Sequence, residues 1–117
     1  DWQGKRLKRL KKDRLWKTVQ SKPGDFRFPN GESFAEAQTR VAAAINGLSE
    51  KHGKDDLIAC VAHSDVIRLA VAHFLRLSLN EFQRVRISTC SLTVMHLHEG
   101  QAFFDTINHT LDFPKFK

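Results

Sequence analysis

The sequence predicts an α/β fold, with helices packed over a mostly parallel sheet, and three observations lead there. Residues 57–62 (LIACVA) are apolar without interruption, break at His63-Ser64-Asp65 and continue as an amphipathic stretch to Leu77. A strand that is apolar on both faces belongs inside a parallel sheet, where helices cover it above and below. Ser33-Phe34-Ala35-Glu36 opens a long run of helical periodicity. Residues 89–107 alternate in character around Glu99-Gly100, as the two arms of a hairpin do.

In chain order, the first element is basic. Residues 1–17 hold eight of the 19 Lys and Arg against Asp1 and Asp13, while the rest of the chain balances, so the net charge of +6 is concentrated at this end. The stretch KRLKRLKKDRLWK interleaves Leu7, Leu10, Leu15 and Trp16 among its cations. It reads as a surface helical segment within residues 1–22, laying a thin apolar stripe on the body. A solvated helix face is the favoured reading. Nucleic acid is disfavoured as a partner, because no recognition motif or aromatic platform accompanies the charge. A non-catalytic module that uses residues 5–17 to bind an acidic partner stays open, and attraction of a phosphorylated substrate is a milder use of the same charge.

SKPGDFRFPNGES is the clearest irregular stretch, with turn signals at Pro23-Gly24 and Pro29-Asn30-Gly31. The S-x-x-E sequence at Ser33 to Glu36 has capping-box form and opens a helix over 33–52. Its expected inner face is Phe34, Ala37, Val41, Ala44, Ile45 and Leu48, with Gly53 as the C-terminal stop. Glu32 precedes the cap. Structurally it is a loop carboxylate; functionally it could orient a histidine or an arginine at a site.

The stretch 56–77 is the expected core: a strand, then His63, then a helix with Val66, Ala70, His73, Phe74 and Leu77 on one face. In open α/β sheets ligands bind beyond the carboxyl ends of the strands, where the next helix aims its free N–H groups and positive dipole end. His63 therefore stands where an anion belongs. Ser64 is the expected N-cap and Asp65 a first-turn acid, and capping alone would account for both. A histidine merely satisfied at a strand end is the bland alternative for His63.

Downstream, Ser78 to Phe82 reads as a cap and short helical turn, and 89–98 and 101–107 as an antiparallel hairpin. Leu92, Val94, His96 and His98 share one parity. His96 and His98 could chelate a metal from one strand face, but no third ligand stands at suggestive spacing, so no metal is expected. Cys60 and Cys90 sit in apolar surroundings at neither metal nor disulfide spacing, which makes a reducing cytoplasm the default. No apolar run approaches the roughly 18 residues that cross a bilayer, and no signal peptide is visible, so no membrane partner is expected.

This inventory contains a conflict: an interior parallel strand needs parallel neighbours, and 57–62 is the single candidate. The expectation is that one or more strands come from residues or a chain outside this sequence. Three blocks then carry a resemblance. Asp1-Trp2-Gln3-Gly4, Phe28-Pro29-Asn30-Gly31-Glu32-Ser33 and Val61-Ala62-His63-Ser64-Asp65-Val66-Ile67-Arg68 resemble, in order and spacing, the second half of the histidine phosphatase superfamily. The similarity is to its phosphoglycerate mutase-like and α-ribazole phosphatase-like branch and spans essentially the whole chain.

The resemblance implies a three-layer α/β/α sandwich of phosphoglycerate mutase-like type, mostly parallel with an edge hairpin, of which this chain is the C-terminal part. It implies phosphoryl transfer through a phosphohistidine, with hydrolysis of a phosphomonoester favoured over a phosphomutase reaction because the connection before Ser33 is short. His63 matches the family's second histidine, a donor to the phosphate, and Ser64 stands where an amide contacts that phosphate. The family commonly has glycine there, so close approach requires Ser64 to avoid positive φ. Arg68 is expected to pack or pair locally. The Arg-His-Gly motif, a second arginine and the acidic proton donor all precede the Asp1 block in the family, so the chain alone is expected to be inactive. The implied partners are a small phosphorylated substrate and the missing N-terminal half, with a homodimer as an option; no cofactor is implied.

Overall fold

The computed structural model describes Gly24 and residues 31–111. The expected basic helix, the Asp1 block, the turn at Pro29-Asn30 and the last six residues lie outside that set. The described elements are helix α1 (Phe34–Lys51), helix α2 (Ser64–Phe74), a 3-10 helix (Leu79–Arg84) and strands β1 (Leu92–His98) and β2 (Gln101–His109).

Helix α1 starts as its sequence requires. Ser33 adopts extended backbone (φ −80°, ψ 163°), and its hydroxyl oxygen accepts from the Glu36 amide at 3.1 Å. The same hydroxyl donates to the Glu36 carboxylate at 3.2 Å, which closes the capping box through side chains. The other end differs from expectation. The helix stops because His52 turns extended (φ −123°, ψ 152°), and Gly53 is not left-handed. Asp56 holds the exit by accepting from the Gly53 amide at 2.8 Å.

Phe34 and Val41 of the expected stripe are buried, but Ala42 is buried in place of Ala44, which faces solvent. On α2 the buried residues are Leu69, Val71 and Ala72 rather than the predicted set, and His73 is exposed. The helix is apolar nearly all round, so periodicity alone does not select its inner side. Phe34, Leu69, Ala72 and Phe82 form the core, joining α1, α2 and the 3-10 helix, with Ala37 and Leu79 packed against them. The Gln38 side-chain amide donates to the Leu69 carbonyl at 3.0 Å, tying α1 to α2.

Residues 57–62 form no strand among the described residues. Leu57 is 96% exposed and Val61 100% exposed. The physical reason is that a strand exists through its neighbours, and the described sheet consists of β1 and β2 alone. That sheet is antiparallel, so the predicted mostly parallel sheet is not present among the described residues. Cys60 and Cys90 are free and exposed.

The hairpin turns through Glu99 (φ 51°) and Gly100 (φ 77°), the two left-handed residues of a tight loop that matches strand twist. Register runs from His98 opposite Gln101 to Leu92 opposite His109, with irregularities on either side of Val94. Between Val94 and Met95 the partner moves from Thr106 to Phe104, so Asp105 is the extra residue of a β-bulge. At the far end Asn108 (φ 59°) accepts from the Ser88 amide at 2.7 Å and donates its own amide to the Thr93 hydroxyl at 3.1 Å. Among the described residues no helix is long and apolar enough to cross a membrane.

Candidate functional site

His63 is the N-cap of α2, one residue earlier than the expected cap at Ser64. Its backbone is extended (φ −76°, ψ 162°), and its carbonyl accepts the first helical bond from the Ile67 amide at 3.1 Å. The side chain is exposed and caps none of the helix amides. The amides of Ser64, Asp65 and Val66 therefore open the helix with no intrahelical acceptor, and the dipole adds positive potential at the same place. Ser64 is not among the positive-φ residues, the condition that close backbone approach sets at this position. An exposed imidazole beside amides that lack an intrahelical acceptor can donate to an anion.

Two charged residues on the first turns of α2 pair with each other. The Arg68 guanidinium donates through Nη1 to Asp65 Oδ1 at 3.2 Å, the local pairing expected of Arg68. The Arg68 Nε atom is buried and has no hydrogen-bond partner among the described residues.

Glu32 pairs with Arg40. Arg40 donates through Nε and Nη2 to the two Glu32 carboxylate oxygens at 3.1 and 3.2 Å. These hydrogen bonds hold the Glu32 carboxyl below its ordinary range and push the Arg40 guanidinium up. No described contact joins this pair to His63. Arg40 was not singled out by sequence, because its partner lies eight residues away and outside the helix, where helical spacing rules do not apply. A shallow hollow on α1, lined by Ala35, Glu36, Thr39 and Arg40, does not include His63.

The histidines of the hairpin go to different carboxylates. His96 Nε2 lies 2.6 Å from Asp105 Oδ2, and His98 Nε2 is 3.8 Å from Glu99. Among the described residues no group of three His, Cys, Asp or Glu could hold a metal ion. The arrangement around His63 can bind and stabilise an anion. It brings no second histidine or carboxylate up to the His63 ring among the described residues.

Comparison with solved structures places this geometry in a known fold. The chain superposes on Bacillus stearothermophilus YhfR with a TM-score of 0.87 over 95% of its length, at 18% identity. It superposes on a mutant phosphoserine phosphatase from Entamoeba histolytica, in complex with phosphoserine, with a TM-score of 0.74 over 92% of its length, at 20% identity. The chain spans about half of each of these, 56% and 54% respectively. No curated protein matches it. The sequence model of the histidine phosphatase superfamily (branch 1) matches residues 1–110, and the chain belongs to that superfamily.

Proposed function

We propose that this chain forms the phosphate-holding half of a phosphomonoester hydrolase that works through a phosphohistidine. The observation that carries the reading is the exposed His63 ring at the amino end of α2, which has no partner among the described residues and stands beside amides that have no intrahelical acceptor. The Entamoeba histolytica neighbour, a phosphatase in complex with phosphoserine, supports a phosphomonoester as the substrate class.

In the proposed reaction a neutral histidine nitrogen attacks phosphorus, and the bond to the ester oxygen breaks. The leaving alcohol takes a proton from an acid. Water then attacks the phosphohistidine, releasing inorganic phosphate and restoring the free ring. Charge on the three equatorial oxygens rises through each transfer, and His63 N–H together with the Ser64 amide would donate to them.

The sequence contains no Arg-His-Gly triplet; on the resemblance to the superfamily we assign the nucleophile, the second arginine and the acid to polypeptide outside these 117 residues. On the same reading, strands from that polypeptide flank residues 57–62 and complete a three-layer sandwich, and a hydrolase is favoured over a phosphomutase. The free thiols of Cys60 and Cys90 fit a reducing cytoplasmic setting.

The test is hydrolysis of p-nitrophenyl phosphate by the 117-residue chain and by the same chain joined to the polypeptide that carries the Arg-His-Gly segment. No turnover by the first and clear turnover by the second are expected. An inactive joined protein ends the enzyme reading, and full activity in the 117 residues ends the assignment of the nucleophile elsewhere.

A further inference from the structure

We draw no further inference here: the strongest candidate, the uncovered apolar segment of residues 57–62 leading into α2, is an unpartnered face, and nothing in the structure shows what covers it.

Discussion

Phe34 and Phe82 meet with ring centroids 4.9 Å apart and planes tilted by 52°. Phe34 is the first residue of α1 and Phe82 lies in the 3-10 helix, so one aromatic contact fastens the start of one element to another far along the chain. Both also pack with Leu69 and Ala72 of α2, the helix that presents His63. Tilted aromatic pairs add to the burial of area alone.

Phe82→Ala should therefore cost about 3–5 kcal/mol, the range for truncating a fully buried aromatic. Phe82 is 0% exposed. Denaturant unfolding of the variant and parent measures this, and a loss under about 1 kcal/mol would mean the site collapses around the missing ring.

The Glu32–Arg40 pair makes a pH prediction. Glu32 has a lowered pKa in the folded chain, chiefly through its hydrogen bonds from Arg40. Its contribution to stability is thus present above the unfolded carboxylate pKa and is lost as pH falls through the lower folded value. Carboxyl-carbon NMR titration should place Glu32 below an ordinary glutamate, and Arg40→Met should return it to the usual range. An unshifted Glu32 in the parent chain would contradict the pairing.

His63→Ala in the assembled enzyme should lower kcat by about a hundredfold or more, the usual effect of deleting one donor to a developing charge. Because the ring is exposed and caps no amide, the melting temperature should stay close to that of the parent. A change in kcat within about threefold would remove His63 from the phosphate site.

Gly47 lies inside α1, and a Cβ built there meets nothing within 4 Å. Gly47→Ala should stabilise the chain by roughly 0.5–1 kcal/mol, since glycine in a helix interior gives up more backbone freedom on folding than alanine. Thermal or denaturant unfolding decides it, and a destabilised variant would show that α1 bends or packs differently at this point.

Val61→Lys should leave the stability of the 117-residue chain within about 0.5 kcal/mol of the parent, as for an ordinary surface change. The side chain is 100% exposed. A large loss would show that residues 57–62 are covered in solution.

Much of the candidate site is legible in the sequence. A continuous apolar run broken by His63-Ser64-Asp65 marks the junction before α2, and the Ser33 to Glu36 capping box marks the start of α1. The cap itself shifts from Ser64 to His63 because helix ends are fixed by one set of dihedrals, which composition does not specify. The inner side of α2 is not legible, since Val66, Leu69, Ala70, Val71 and Ala72 offer several apolar sides and the choice is made by Phe34 and Phe82. Nor is the pairing of His96 with Asp105, which depends on a bulge that changes the count of residues along β2. The sheet residues 57–62 would occupy depends on other strands, and strand character alone does not supply them.

The bare stretch 57–62 also has a practical consequence. It contains no charge, proline or glycine, and its Ile58 and Val61 favour extended backbone, features of short segments that stack into cross-β fibrils. Stored at high concentration, the isolated chain is expected to precipitate slowly through this window, faster as salt screens the repulsion from its net charge of +6.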